Sequence, residues 1–426
     1  MRIKEGLKES GEFWLPSTPD KKVHGTLSIS DGGNIELEVT GFFEDWRKAH
    51  NVNLNRIVGH IQKGRSIPLI FVTLDDCAYK TLPIPVGIPK ALIRVSRAFI
   101  GVQYDEGESP HFNTLTFSLE GIGEWVDISG IRVENQPEKW TTTISYEPRE
   151  DVSLNLDNGM QLLITWGHSL KYLINKEAGI REKIYFKLIS PEARELNEFT
   201  SLVRKITEFL CFAMNETVCL DSMHAISDDL TQEIADSKTE PVPINIYSPS
   251  WPYSKDVPQI NLYNMLFKFK EIQNNAERII NNWIKSYEQY DSAFRLYFLA
   301  KMGEQTYLEE KFLTLVQGLE AYHQRIAERM VLRNRITNIV EPFKDIIGTN
   351  GNPQELIDSI MDTRNGLTHH NPAKEPKVAK GVNLWYLCLK MELLFELHIL
   401  QLMGFSREKI DSIVDNSPEL KRKCNW

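Results

Sequence analysis

"VHGTLSISDGGNIELEVTG", residues 23–41, decides the fold of the first part of the chain. Apolar side chains recur at every second position on both sides of the central SDGGN, which is the period of a strand with one buried face. Two adjacent glycines supply positive φ angles without steric cost, as tight hairpin turns require. The stretch therefore predicts a β-hairpin.

More strands are predicted downstream, and Asn158-Gly159 adds a second hairpin signal inside one of them. Six or more short strands in succession are typical of an all-β sandwich or barrel-like domain, which we predict over residues 1–190. The further strand candidates are 67–74, 114–121, 141–147, 152–167 and 182–190.

The hydrophobic period changes from two to 3.6 near Ser190-Pro191. Ser190 is a suitable N-cap, and Pro191 suits the first position of a helix over 191–214. We predict a helical connector over 191–290 that contains a Pro-rich loop at 237–259, followed by an all-helical domain over 291–426. The fold class is thus α+β. The strongest helix candidates are 260–287, 291–302, 305–330, 332–346, 353–368 and 382–404.

Composition limits the functional classes. The chain has 426 residues, enough for two or three domains, and its net charge of −9 gives no global basic footprint for a polyanion. Residues 291–426 contain equal numbers of basic and acidic side chains, so the acidic excess lies before them. The five cysteines form no CxxC pair, and no stretch resembles a signal peptide or a membrane span. We expect a cytoplasmic protein without a metal, a cofactor or a membrane partner.

Residues 362–372, DTRNGLTHHNP, combine groups that can do chemistry at a predicted helix end. Asn365 and His369 are four residues apart and share a helix face, and the long side chain of Arg364 can reach the same point. Gly366 weakens the helix slightly, and Pro372 should stop it. Taken alone, the same residues are also typical of a polar helix C-terminus, where the helix dipole favours Arg and His.

Cleavage of RNA suits an arginine, an asparagine and a histidine that have no nearby protein nucleophile. The substrate carries its own nucleophile, the ribose 2′-hydroxyl, and a neutral histidine can accept its proton near working pH. An arginine can bind the phosphate bidentately and stabilise the charge of the transition state. An asparagine can orient the histidine or a phosphate oxygen. The expected products carry a 2′,3′-cyclic phosphate and a 5′-hydroxyl.

The sequence RNGLTH at 364–369 resembles the R-N-x-x-x-H signature of HEPN ribonucleases. The earlier segment FLTLVQGLEAYHQR, residues 312–325, is similar to the HEPN helix that carries an acidic residue, here Glu320. The start Trp14-Leu15-Pro16, followed by the hairpin at 23–41, resembles the β-rich N-terminal domain of ApeA-like bacterial anti-phage proteins.

This resemblance implies that Arg364, Asn365 and His369 form the catalytic set of a metal-independent endoribonuclease. It also implies a homodimer or higher homo-oligomer in which two motifs face each other across a cleft. The implied activity is abortive-infection defence through cleavage of host RNA, with tRNA or another structured RNA as the substrate. The β domain would then sense a phage-derived trigger or restrain the nuclease.

Several other residues are candidates for supporting roles. His370 still fits a looser R-x(5)-H pattern, Thr368 lies one turn beyond Arg364, and Glu320 could hold the guanidinium of Arg364. Glu320 and His323 also have E-x-x-H spacing, which can ligate a metal in helical bundles, but no second such pair accompanies them. An ordinary solvated glutamate and helix histidine remain the alternative.

A run of arginines precedes the motif. Arg325, Arg329 and Arg333 recur every four residues and could track an RNA backbone, whereas a solvated face paired with acids is the alternative. For the whole chain, the alternative function is a non-catalytic HEPN module that binds RNA, a nucleotide or a partner protein. Both alternatives stay open on the sequence.

Overall fold

The hairpin at 23–41 forms as the alternation predicts. In the computed structural model of the chain, strands β2 (Val23–Ser30) and β3 (Asn34–Thr40) pair antiparallel, with Leu27 opposite Leu37. Both leucines are buried. Gly32 and Gly33 in the turn have φ angles of +86° and +75°, the left-handed region that favours glycine. The turn chemistry and the buried face therefore agree with the sequence.

The structure describes residues 1–43, 54–62, 69–82, 87–174, 176–234, 238–303, 307–326, 329–347, 353–369 and 377–425. These residues divide into two compact units. The first comprises 1–124, 128–207 and 217–259, and the second comprises 125–127, 208–216 and 260–426.

The first unit is built on one antiparallel sheet. In the described part of the chain this sheet has 14 strands, in the order β12-β13-β14-β9-β15-β18-β8-β5-β4-β1-β2-β3-β7-β6. The hairpins β10-β11 and β16-β17 are separate. The remaining strands are β1 (Leu7–Trp14), β4 (Arg56–Ile61), β5 (Ile70–Asp75), β6 (Ala78–Thr81), β7 (Lys90–Val95), β8 (Arg97–Ile100), β9 (His111–Leu119), β10 (Ile131–Gln136), β11 (Thr141–Tyr146), β12 (Val152–Asn155), β13 (Gln161–Leu173), β14 (Glu177–Glu195), β15 (Leu220–Ile226), β16 (Thr231–Ile234), β17 (Lys238–Pro241) and β18 (Ile244–Tyr247).

The predicted helix start at Ser190-Pro191 is wrong. Strand β14 continues through both residues to Glu195, and the following helix begins at Leu196. The pairing of β14 with β9 shifts register between Ile189 and Arg194. Proline lacks a backbone N–H and is tolerated in sheets at such irregularities, so Pro191 lies in an irregular stretch of β14 rather than at a helix start.

The sequence predicted a helical connector over 191–290, but this region is not wholly helical in the structure. Besides its helices it contains β15 to β18, and β15 and β18 are strands of the large sheet. Short strands of this kind expose too few alternating positions for a reliable period-two signal. The domain boundaries at 190 and 290 stay a prediction.

The second unit is mostly helical, in agreement with the predicted C-terminal bundle. Among the described residues no helix is both long and apolar enough to cross a membrane. The helices of the chain are α1 (Ile122–Val126), α2 (Leu196–Met214), α3 (Phe269–Ile272), α4 (Ala276–Gln289), α5 (Asp291–Met302), α6 (Leu308–Gln324), α7 (Leu332–Val340), α8 (Pro353–His369), α9 (Val382–Leu402), α10 (Arg407–Asn416) and α11 (Pro418–Cys424).

Helix α9 is the central helix of this unit. Fifteen of its residues are buried, from Leu384 to Leu400, and they include charged side chains. Glu392 and Glu396 are 2% and 0% exposed, and Lys423 of α11 is also fully buried. The Lys423 ammonium lies 2.6 Å from Glu396 and 3.1 Å from Glu392. A charge in this position is tolerated only when paired.

Two further lysines and a third glutamate complete the α9 charge network. Lys311 of α6 lies 2.6 Å from Glu392, and Lys301 of α5 contacts Glu396 at 3.2 Å and Glu419 of α11 at 3.1 Å. Burial alone would raise the pKa of Glu392, but the three lysines lower it to about 2. Glu392 therefore stays ionised, and the network joins four helices.

The first prediction concerns this network. Lys423→Ala would leave two buried glutamates with too little positive charge, so we expect it to lower the free energy of unfolding by about 3–5 kcal/mol. Urea unfolding measures the change. Lys344→Ala is the matched control, because Lys344 pairs with Glu341 on the surface, and it should leave the urea midpoint unchanged. Equal midpoints for both variants and the wild type would contradict the role assigned to the network.

Candidate active site

Helix α8 carries the RNGLTH motif at its end. Its inward face consists of Leu356, Ile357, Ile360 and Thr363, which are all buried. These positions have helical spacing, and the helix begins at Pro353, a favoured first residue. Burial stops after Thr363, and the side chains of residues 364–368 are half-buried or exposed. The motif therefore occupies the part of α8 that extends beyond the packed core.

Hydrogen bonds connect described residues of the motif. Arg364 donates from Nη1 to the side-chain oxygen of Asn365 at 3.3 Å. The Thr368 hydroxyl donates to the backbone carbonyl of Arg364 at 2.7 Å, one turn back along the helix. Thr368 thus bonds to its own helix. Asn365 and His369 have the predicted four-residue spacing on α8, but the side chain of His369 and all of His370 lie outside the described residues.

The chain that follows the motif packs back onto it through residues 377–379, which we call the return segment. The backbone N–H of Ala379 donates to the Thr363 hydroxyl at 3.0 Å. Val378 lies directly over Gly366, so closely that a Cβ at position 366 would be 2.2 Å from Val378 Cγ2. Sequence reasoning missed this contact. A glycine inside a helix was its one visible signal.

The arginine run before the motif does not follow a single helix. Arg325 comes just after α6, Arg329 lies between α6 and α7, and Arg333 is on α7. Arg333 forms an ion pair with Asp358 of α8 at 2.5 Å, and this hydrogen bond holds the pKa of Asp358 below its usual value. Arg325 and Arg329 are exposed. An RNA-binding role for the three stays a prediction.

Glu320 and His323 have different surroundings on α6. Glu320 is half-buried, and its pairing with Arg364 stays a prediction. His323 is buried, and burial together with the charge of Arg335 lowers its pKa. No group of three or more metal-ligating side chains occurs within the described ranges. The histidine of the E-x-x-H pair, His323, is thus part of the helical core.

A second buried histidine, His398 of α9, lies beside the first. Its Nε2 donates to the carbonyl of Ile339 at 2.8 Å, and the hydroxyl of Tyr322 lies 3.4 Å from Nδ1. Burial lowers the pKa of His398 to about 4, with a small opposing effect from the Ile339 carbonyl. The imidazole is therefore neutral at pH 7, as the acceptor role of Nδ1 requires.

Two known family models match parts of the chain. Residues 8–283 match the family model "ApeA N-terminal domain 1", and residues 313–409 match the model "Apea-like HEPN". The second match includes α8 and the whole RNGLTH motif. No curated protein and no solved structure matched the chain significantly.

The fold and the two matches define the class of protein, a β-rich domain followed by a HEPN helical domain. The chain belongs to the ApeA family. This family consists of anti-phage proteins of the HEPN nuclease type. HEPN domains are generally ribonucleases that dimerise and act on RNA, although some of them are not catalytic.

The second prediction is a pH dependence of stability. The folded pKa of His398 is about 4, whereas its ordinary value is 6.5. The unfolded chain therefore gains a proton as the pH falls through 6.5 while the folded chain does not, and folded stability is lost between pH 6.5 and 4. Between pH 7 and 5 this histidine alone should lower the free energy of unfolding by about 2 kcal/mol.

The measurement is urea unfolding at pH 7 and at pH 5. His398→Gln keeps a side-chain amide that can donate to Ile339 and should flatten the pH dependence. His24→Gln is the control, since His24 lies exposed on β2. An unchanged slope in His398→Gln would show that this buried imidazole does not set the acid sensitivity.

Proposed function

We propose that the chain is a metal-independent endoribonuclease of abortive-infection defence. In this proposal it cleaves host RNA, with tRNA or another structured RNA as substrate. The supporting observation is the position of the motif. Arg364, Asn365 and His369 lie within six residues on the end of α8, past the point at which that helix is buried in the core.

Such a position suits a polyanionic macromolecule. A phosphate in a folded RNA cannot enter a narrow cavity, so the groups that act on it must project from the protein surface. The half-buried guanidinium of Arg364 can bind a phosphate from there, and its hydrogen bond to Asn365 restricts its orientation. Exposed Arg325 and Arg329 would extend the contact along the RNA backbone.

The proposed reaction is transesterification within the RNA. His369 acts as general base on the ribose 2′-hydroxyl, whose oxygen attacks the adjacent phosphorus. Arg364 stabilises the charge that develops on the phosphoryl oxygens. The bond to the 5′-oxygen of the next nucleotide breaks, and a proton is delivered to that oxygen by a general acid. The products are a 2′,3′-cyclic phosphate and a 5′-hydroxyl, and no step uses a metal.

A homodimer or higher homo-oligomer would complete the site. One motif offers a single arginine and a single histidine, whereas the reaction needs both a base and an acid. Two motifs facing each other would supply both roles and double the positive charge at the phosphate. The β-rich unit would receive a phage-derived trigger or restrain the nuclease, and the protein would work in the cytoplasm.

The third prediction tests the activity. Wild-type protein should cleave tRNA in the presence of EDTA and leave 2′,3′-cyclic phosphate ends. Arg364→Ala and His369→Ala should each lower the rate at least about 100-fold, because each removes a group needed at the transition state. Sequencing of RNA 5′ ends after induced expression identifies the sites that are cut in cells.

The matched control is Arg295→Ala, which removes the same charge from the exposed surface of α5, where Arg295 pairs with Asp291. It should cleave like the wild type. RNA binding without cleavage, under every activating condition tried, would favour the non-catalytic HEPN module instead. Cleavage that survives Arg364→Ala would assign the activity to other residues.

A further inference from the structure

The last turns of α8 need support that the hydrophobic core does not provide. The inward face of the helix ends at Thr363, and the motif occupies the six residues that follow. Helix ends without buried contacts open locally at low free-energy cost. A catalytic set in such a segment would lose its geometry, and displacements of about 1 Å can lower a rate on the order of 100-fold.

The return segment contacts α8 at two points in this region. Thr363 is fully buried, and its hydroxyl accepts the N–H of Ala379 at 3.0 Å. One turn further on, Val378 lies against the backbone at Gly366. Both contacts are on the motif helix, and the second is inside the motif, three residues before His369. They connect the end of α8 to chain that lies beyond the motif.

Only glycine allows the second contact. A Cβ at position 366 would lie 2.2 Å from Val378 Cγ2, well below any normal contact distance. Glycine is a poor residue for a helix interior, so a free helix end would favour almost any other residue at this place. Valine is stiff at χ1, which limits how easily it can turn away. Glycine at position 366 thus lowers the helix propensity but allows the return segment to approach closely.

We propose that Gly366 is a positioning residue of the motif. By admitting Val378, it lets the return segment hold the last turns of α8, and thereby fixes Arg364, Asn365 and His369 relative to one another. The catalytic half of this inference rests on the proposed ribonuclease function. The structural half, that Val378 at Gly366 orders the end of α8, does not.

The fourth prediction uses a compensating pair of variants. Gly366→Ala should lower kcat for RNA cleavage at least about tenfold with little change in KM, and should speed hydrogen exchange in the last turn of α8. In Gly366→Ala/Val378→Ala the atoms at 2.2 Å and 3.7 Å are removed, and the new Cβ would be 3.5 Å from the Cβ of residue 378. The double variant should therefore recover both the rate and the slow exchange.

Gly318→Ala is the matched control. Gly318 is also a helix glycine without room for a Cβ, which would lie 2.8 Å from Phe395, but it is on α6 and outside the motif. This variant should lower the urea midpoint without faster exchange at the end of α8. It separates general destabilisation from loss of local order.

The outcomes are distinguishable. Gly366→Ala with wild-type kcat and wild-type exchange overturns the inference, as does a loss of rate that Val378→Ala fails to rescue. A rise in stability on Gly366→Ala, the expected result for an unobstructed helix, also overturns it. If the wild type cleaves no RNA, the proposed function fails, and hydrogen exchange alone decides whether the contact orders the end of α8.

Discussion

Pairing of buried charge around α9 is the constraint on which the helical unit depends. A helix with so long a buried stretch must be enclosed by others, and its two glutamates can be enclosed only together with cations. Lys301, Lys311 and Lys423 come from three different helices and meet these carboxylates with their ammonium groups. The ion pairs therefore link α9 to α5, α6 and α11, and each of these helices supplies a cation that the buried carboxylates require.

This arrangement of the core also determines where chemistry can occur. The interior is filled by α9 and its partners, and burial lowers the pKa of two histidines there, His398 of α9 and His323 of α6. In the proposed function, groups that act on a large RNA have to lie outside that core, and a helix end is one such place. Helix α8 meets this need because its apolar face stops at Thr363 while the helix continues to His369. An exposed helix end is less well ordered than a buried one, and the contacts of the return segment stabilise the end of α8.

Sequence patterns predicted the parts of the fold that depend on local periodicity. The hairpin at 23–41 and the helices at 291–302, 353–368 and 382–404 follow from spacing and turn residues, and the structure confirms them. The predicted helix at 260–287 is only partly formed, because the first helix there begins at Phe269 and a 3-10 turn separates it from α4. Pro191 misled the prediction because proline is favoured both at helix starts and at sheet irregularities, and only the register of β14 against β9 distinguishes the two. Strands β15 and β18 were missed because strands of seven and four residues show few alternating positions, and their partners β9 and β8 lie far away in sequence.

The candidate site likewise has features that local sequence predicts and one that depends on a residue distant in sequence. Arg364, Asn365 and His369 could be selected from the sequence because helical spacing and a known motif are local properties. The reason for a glycine at position 366 could not be predicted from the sequence. It is the contact with Val378, which is twelve residues away and lies on chain that has left the helix. In sequence, that glycine is a small defect in a helix. In the structure, Val378 occupies the space that a side chain at position 366 would fill. The residue with low helix propensity is therefore the one that allows the return segment to hold the end of α8.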